Sequence, residues 1–399
     1  MIIKPRFRGF ICTTAHPVGC ARQVERQIEY VKSQPKVDGP RKVLVIGAST
    51  GYGLASRIVA AFGAGADTLG VFFEKPSVKN RTATAGWYNT AAFEKEAKKA
   101  GLVAESINGD AFSNEIKEET IRRIKQDLGG KVDLVIYSLA APKRLHPVTG
   151  ELFSSVIKPV GKTFTNKTVD FHTGEVFETS IKPATEEEIR HTVMVMGGED
   201  WAMWIDALKE AGVLAKGVKT VAYSYIGPEL TWPVYREGTV GKAKDHLEKT
   251  AHELAGKLKD LHGQAFVSVN KALVTQSSAA IPVVPLYISL LYRIMKEKGW
   301  HEGCIGQMYR LFADRLYQSG AVPVDDQGRI RIDDLEMKSE IQEAVMENWN
   351  RVESDTLKEI TDIEGYRREF FQLFGFETDG VDYEADVDPN VEIPSMKKA

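Results

Sequence analysis

A chain of 399 residues, 43% apolar and 27% charged, has the composition of an ordinary globular protein with material for a large core, which excludes disorder as its main state. A formal charge of −3 provides no general attraction to phosphate backbones or anionic lipid, so neither nucleic acid nor membrane is an expected partner. Cys12, Cys20 and Cys304 are an odd number of thiols in a long chain and are read as free, which fits a reducing cytoplasm.

The start, Met-Ile-Ile-Lys-Pro-Arg, is interrupted before an apolar run suited to a signal peptide develops. Residues 42–47, Lys-Val-Leu-Val-Ile-Gly, predict a buried strand, and 52–62 follow with helical spacing at Leu54, Ile58, Val59 and Phe62. Thr68 to Phe73 reads as the second strand, followed by a helix from about Thr90 to Ala100. Leu102 to Ile107, Ile116 to Asp127 and Val132 to Leu139 continue as strand, helix and strand. This alternation predicts an α/β fold with a Rossmann-type, doubly wound parallel sheet.

Between 143 and 183 the pattern changes to short β-prone pieces, read as an inserted hairpin region. Glu186 to His191 and Trp201 to Ala211 read as helices, Val218 to Ile226 as a fifth strand, Lys242 to Leu261 as a helix and Ala265 to Asn270 as a sixth strand. Pro282 to Lys298, Cys304 to Tyr317 and Met337 to Val352 are additional C-terminal helices packing outside the sheet. The apolar stretch Ile281 to Tyr292 is too short to span a bilayer. No Gly/Ser linker separates the last third, so 1–399 is read as one body: a core over 40–300 and a helical extension over 300–399.

Gly47, Gly51 and Gly53 stand between the first strand and its helix, where glycine permits a tight turn and close approach to a pyrophosphate. The helix N-terminus then faces the phosphates. Ser49 and Tyr52 can add side-chain contacts. Glu74, at the end of the second strand, can accept hydrogen bonds from both adenosine ribose hydroxyls and repels a 2′-phosphate, which favours NADH over NADPH. Asp110-Ala111 can meet adenine, Leu139-Ala140 the ribose region, and Thr275 the nicotinamide carboxamide.

Tyr235 and Lys244 supply the chemical half. Hydride reduction of an activated double bond leaves negative charge on the conjugated carbonyl oxygen, so a donor and a proton source are required. A phenol serves both needs, and a cation such as Lys244 can lower its pKa and hold the nicotinamide ribose. Nine steps of helix end half a turn away, so Tyr235 is placed in the loop before the helix and Lys244 in its first turns. Tyr225, at the end of the fifth strand, is a second phenol in reach of the same pocket.

These residues resemble the short-chain dehydrogenase/reductase superfamily and, within it, the FabV type of enoyl-acyl-carrier-protein reductase, close to the trans-2-enoyl-CoA reductases. The markers include Gly9-Phe-Ile-Cys, Val45-Ile-Gly-Ala-Ser-Thr-Gly-Tyr-Gly, Trp87-Tyr-Asn, Ser106-Ile-Asn-Gly-Asp-Ala-Phe, Tyr137-Ser-Leu-Ala, Met196-Gly-Gly-Glu-Asp-Trp and the pair Tyr235 and Lys244 with eight residues between them. The resemblance implies NADH-dependent reduction of the trans-2 double bond of an enoyl thioester carried on acyl carrier protein or coenzyme A, by a monomer. It makes Tyr235 the proton donor, Lys244 a cofactor ligand and Tyr225 a substrate contact. Gly47, Ala48, Ser49, Thr50, Gly51, Tyr52, Phe73, Glu74, Asp110, Ala111, Leu139, Ala140, Leu273, Val274 and Thr275 would line the cofactor. Such chains also carry a flavin-domain designation near the C-terminus, but no independent flavin motif is present here and none is expected.

Two other signals are weak. Cys12, His16 and Cys20 lack a fourth ligand, and their segment reads as strand and turn, so no metal is expected. Asp379, Asp382, Glu384, Asp386 and Asp388 lack the pattern of a calcium loop and read as a solvated tail. The rival functions are a carbonyl or ketoacyl reductase on the same scaffold, and a non-catalytic NADH-binding regulator.

Overall fold

The computed structural model describes residues 1–8, 11–79, 81–139 and 141–396. Its centre is a seven-stranded sheet of β1 (Lys42–Ile46), β2 (Asp67–Phe72), β3 (Ala104–Asn108), β4 (Val132–Tyr137), β5 (Leu214–Ser224), β6 (Gln264–Val269) and β7 (Ile330–Arg331). The spatial order is 3-2-1-4-5-6-7 and every pairing is parallel. Parallel strands are covered on both faces, which is why Val43 to Ile46 form an unbroken apolar run with no solvent exposure. The chain winds outward from β1 to β3, returns to β4 beside β1, and winds the other way. That reversal opens a crevice beyond the C-terminal ends of β1 and β4.

The helices are α1 (Pro17–Ser33), α2 (Gly51–Ile58), α3 (Ala85–Lys99), α4 (Asn114–Asp127), α5 (Glu186–Met196), α6 (Glu199–Glu210), α7 (Thr239–Lys257), α8 (Val284–Glu297), α9 (Cys304–Leu311), α10 (Ser339–Arg351), α11 (Leu357–Ile360) and α12 (Ile363–Gln372). The two-residue period of β1 divides them. Val43 and Val45 pack with α1, α2, α3 and α9 on one face, while Leu44 and Ile46 pack with α4, α6 and α7 on the other. A third apolar cluster joins α8 to α10, α12 and the hairpin residues Val169 and Phe171.

The predicted doubly wound sheet is present, with several differences at its margins. The segment around Cys12, His16 and Cys20, read as strand and turn, continues into the 17-residue α1, whose first turn His16 caps by accepting the Gly19 N–H at Nδ1. Pro17 at the first position and Val24, Ile28 and Val31 on one face are the helix signals that reading passed over. The region 143–183 holds two separate hairpins, Lys143–Leu145 with Leu152–Ser154 and Phe164–Asp170 with Glu175–Ile181. The C-terminal extension is more than helical, since it adds β7 to the sheet edge beside β6.

The acidic tail is docked rather than freely solvated. The Trp87 indole N–H donates to the Val391 carbonyl at 2.7 Å, the Tyr88 hydroxyl to Pro389 O at 2.8 Å, and Glu94 receives the Ser395 N–H at 2.8 Å. Its acidic side chains remain exposed, with Glu384 meeting Lys4 and Asp386 the N-terminal ammonium.

Arg57 is the largest buried polar element linking helix to sheet. Wholly unexposed on α2, it donates to Thr68 Oγ1 at 3.1 Å, Ser106 Oγ at 3.0 Å and Glu105 O at 2.5 Å, and its guanidinium lies 4.5 Å from the Phe93 ring centre. Burial lowers its pKa to about 10. Arg57→Ala removes three buried hydrogen bonds and leaves a void, and is expected to lower stability by about 3 kcal/mol or more in urea unfolding. Arg57→Met retains the apolar stem and should cost less.

Candidate functional site

The glycine turn after β1 is pinned to β2, because Gly47 N and Ala48 N both donate to Val71 O, at 2.8 and 3.0 Å. A Cβ on Gly53 would fall 1.9 Å from Gly47 O, so glycine there allows α2 to begin against the strand end. Thr50 is exposed and extended at the N-cap position, and Gly51 has φ +53°. Free N–H groups at the start of α2 therefore open onto the crevice, as a phosphate site requires.

Glu74 lies just beyond β2 and is held in place by its neighbours. The Asn108 side chain accepts the Glu74 N–H at 2.8 Å and donates to its carbonyl at 2.9 Å, while Ser49 Oγ donates to the carboxylate at 2.7 Å. Ser49, expected to add a ligand contact, is thus committed to orienting Glu74. A Cβ on Gly86 would sit 2.0 Å from Glu74 Oε1, so the start of α3 leaves room for that carboxylate. Phe73 beside it is 78% exposed, a large apolar ring available to a flat ligand.

Asp110, Ala111 and Leu139, also expected to line the cofactor, follow β3 and β4 at the same sheet edge. Asp110 Oδ1 accepts the Phe112 N–H at 3.0 Å, and Ala111 O receives Lys117 Nζ at 3.2 Å and the Trp204 indole at 3.0 Å. Lys117 is itself buried against Asp200 at 2.8 Å, and Tyr137 donates to the same carboxylate at 3.0 Å. Leu139 abuts Gly47, where a Cβ would be 3.3 Å from Leu139 Cδ2. Ala140 lies outside the described residues, as do Gly9 and Phe10 of the first marker.

Tyr225, after β5, and Tyr235 meet edge to face with ring centres 5.0 Å apart. Tyr235 lies in a loop after a short helical turn at Trp232–Val234, and α7 begins at Thr239, with Lys244 in its second turn. Lys244 Nζ donates to Tyr223 O at 2.8 Å, at the end of β5. The hydroxyl of Tyr52, also expected to face a ligand, donates to Lys271 O at 2.7 Å and so ties α2 to the loop after β6. None of the described residues hydrogen-bonds the Tyr235 hydroxyl.

One electrostatic expectation is corrected. Lys244 was expected to depress the Tyr235 phenol; burial instead pushes Tyr235 up to about 12, and pushes Lys244 down to about 8 despite the opposing pull of Glu248. Burial disfavours the charged form of each group, and it is the largest cause in both cases. Tyr235 is therefore a protonated donor at neutral pH.

Several supporting residues were not visible in the sequence. Leu273 and Val274 are nearly buried, and the loop containing them and Thr275 is fixed by side chains at four N–H groups. Lys271 N donates to Gln307 Oε1 at 3.0 Å, Ala272 N to Glu336 Oε2 at 2.7 Å, Val274 N to Tyr292 OH at 3.0 Å and Thr275 N to Ser278 Oγ at 2.9 Å. Glu336, with no exposed surface, also accepts the Tyr225 hydroxyl at 3.1 Å and the Tyr287 hydroxyl at 2.7 Å. In Asp-Asp-Leu-Glu-Met nothing distinguishes Glu336 from a surface acid, so only the folded chain reveals it.

A doubly wound parallel sheet, a glycine turn at its switch point and a tyrosine–lysine pair beyond β5 define a Rossmann-type dinucleotide-binding protein. Residues 81–317 match the family model of the trans-2-enoyl-CoA reductase catalytic region, and residues 2–79 match the NAD(P)H binding domain of trans-2-enoyl-CoA reductase. The chain belongs to this reductase family. It is 64% identical to the trans-2-enoyl-CoA reductase [NADH] of Ruminiclostridium cellulolyticum, over 99% of this chain and 100% of that one. It is 66% identical to the enoyl-[acyl-carrier-protein] reductase [NADH] of Flavobacterium johnsoniae, over the full length of both. The crystal structure of Treponema denticola trans-2-enoyl-CoA reductase in complex with NAD superposes with a TM-score of 0.94, at 52% identity, covering 97% of this chain and 98% of that one.

Residues 324–387 match a model described as an enoyl reductase FAD binding domain. They do not fit a flavin. Ile341, Val345, Trp349, Tyr366 and Phe370 are at most 5% exposed and belong to the cluster that packs against α8, and none of Gly328, Gly365, Gly375 and Gly380 lies in a turn from strand to helix.

The two kinds of glycine constraint are separable. Gly53→Ala forces a methyl group into the Gly47 carbonyl and is expected to cost more than about 2 kcal/mol. Gly51→Ala meets nothing within 4 Å and carries only the cost of its positive φ, about 1–2 kcal/mol. Urea unfolding of both variants checks the order.

Proposed function

We propose that this chain is an NADH-dependent enoyl thioester reductase that saturates the trans-2 double bond of substrates carried on coenzyme A or acyl carrier protein. The observation that carries the reading is the convergence of Tyr225, Tyr235 and Lys244 at the strand-end edge that also holds the glycine turn, in a chain of this family. Bound NADH supplies the hydride. The start of α2 faces the pyrophosphate, and the carboxylate of Glu74 accepts the ribose hydroxyls and disfavours a 2′-phosphate. Phe73, Asp110, Ala111 and Leu139 border the adenosine side, and Leu273 to Thr275 the nicotinamide.

As hydride arrives at the substrate β-carbon, negative charge moves onto the thioester oxygen. The Tyr235 hydroxyl donates to that oxygen, stabilising the enolate, and provides the proton through which the α-carbon is completed. Lys244 holds the nicotinamide ribose, and Tyr225 borders the acyl thioester. Among the described residues no helix is long and apolar enough to cross a membrane. A single chain carries every group invoked, and three free thiols fit a reducing compartment, so the reading is of a cytoplasmic monomer.

The reading is tested by following NADH absorbance with crotonyl-CoA and, in parallel, acetoacetyl-CoA. Oxidation with the enoyl thioester alone is expected; oxidation with the ketone alone would make the chain a carbonyl reductase, and no oxidation with either would make it a binding protein. Tyr235→Phe should lower kcat by about a hundredfold or more while leaving NADH affinity nearly unchanged.

Lys244 gives a pH dependence. Its ammonium is the form that donates to ribose, and burial has lowered its pKa to about 8. NADH affinity should therefore be flat below pH 8 and weaken above it, by up to about tenfold per pH unit. In Lys244→Met, fluorescence titration of NADH should show weak binding without that inflection.

A further inference from the structure

We infer that Glu336 is a positioning residue for this reaction: it takes the hydroxyl hydrogen of Tyr225, leaving Tyr235 as the one phenol of the pair able to donate to the thioester oxygen. The inference rests on the reductase reading and divides the work between its two phenols.

The Glu336 carboxylate is wholly buried and accepts from three groups: Tyr225 OH at 3.1 Å, Tyr287 OH at 2.7 Å and Ala272 N at 2.7 Å. Three donors directed at two oxygens match a carboxylate that accepts at both; burial raises its pKa, and the nearby Lys271, 2% exposed, and the donated hydrogen bonds oppose that rise. Gln342 closes the network by donating from Nε2 to Tyr287 OH at 3.2 Å and to Glu336 O at 2.8 Å. A hydroxyl has one hydrogen. With that hydrogen on Glu336, the Tyr225 oxygen can only accept, and an enolate oxygen needs a donor.

Tyr235 is in the opposite position. Its ring lies edge to face with Tyr225, yet its hydroxyl has no hydrogen-bond partner among the described residues. The asymmetry comes from outside the core: Glu336 belongs to the segment between β7 and α10, and the same carboxylate fixes Ala272 next to the loop 273–275. One buried charge thus sets the proton inventory of the pocket and the position of its cofactor-side wall.

A double-mutant cycle on kcat and KM with crotonyl-CoA tests this, using Glu336→Gln, Tyr225→Phe and the combination. An amide at 336 keeps its oxygen on the Ala272 N–H, which cannot turn away, and so sets its NH2 where Tyr225 and Tyr287 donate; the Tyr225 hydroxyl must then turn its hydrogen elsewhere. Glu336→Gln is expected to lower kcat at least tenfold in the wild-type background and less than threefold in the Tyr225→Phe background. An equal factor in both backgrounds, the signature of a merely structural carboxylate, would overturn the inference.

If Glu336→Gln does not fold, Tyr225→Phe and Tyr235→Phe decide. The first is expected to lower kcat less than tenfold and the second more than a hundredfold; equal losses would show that Tyr225 also donates. A readout that does not need turnover separates this inference from the reductase reading. In enzyme carrying 13C at tyrosine Cζ, Glu336→Gln should move the Tyr225 ionisation to lower pH and leave Tyr235 in place. An unmoved Tyr225 would defeat the inference even in an active enzyme, and a moved one would sustain it even if the natural substrate were another.

Discussion

Parallel pairing is the constraint on which the site depends. Seven strands that all run the same way present all their C-terminal ends at one edge, so each loop leaving a strand can contribute to one crevice. The glycine turn leaves β1, Glu74 follows β2, Asp110 follows β3, Leu139 follows β4, Tyr225 follows β5 and Thr275 follows β6. Residues more than two hundred positions apart meet because of this geometry. The reversal of winding between β1 and β4 then determines where along that edge the crevice opens.

Burial governs the chemistry within the crevice. A phenol near 12 and an amine near 8 are each shifted toward their neutral forms, so neither depends on a strong ion pair with the other. Tyr235 stays protonated throughout the neutral range, as the proposed donor must. Among the other buried charged groups, Lys117, paired with Asp200, and Glu336 hold the loops after β3 and β6 through Ala111 O and Ala272 N. A fixed wall costs no reorganisation at the moment of reaction.

Much of this was legible in the sequence because local rules decide it. The run Val43 to Ile46 followed by glycines specifies strand, turn and helix, and six of the seven strands lie close to where apolar pattern and turn residues placed them. The exceptions have physical causes. β7 is two residues long, too short for periodicity to register, and is defined by its pairing with β6. α1 departs from the strand-and-turn reading of the segment around Cys12, His16 and Cys20, although Pro17 and the apolar face of Val24, Ile28 and Val31 announce it. Asn108, Gly86 and Glu336 could not be seen in advance, since each acts by touching a residue distant in sequence. The docking of the tail on α3 is likewise a tertiary fact, hidden behind exposed acidic side chains.

The spacing of Tyr235 and Lys244 follows from the same distinction between local and tertiary control. On one continuous helix, nine positions would place the two side chains on opposite faces. Here Gly238 N and Gly241 N both donate to Tyr235 O, at 3.2 and 2.8 Å, folding the intervening chain into a turn against the start of α7. A Cβ on Gly241 would lie 1.8 Å from Arg236 O, so that turn closes only around a glycine. The phenol is thereby set by the loop and by its contact with Tyr225, while the amine is set by α7 and its bond to Tyr223 O. Two supports in place of one helix register allow the Tyr235 ring to rest against Tyr225, and the Tyr225 hydroxyl is where the C-terminal segment, through Glu336, touches this pair.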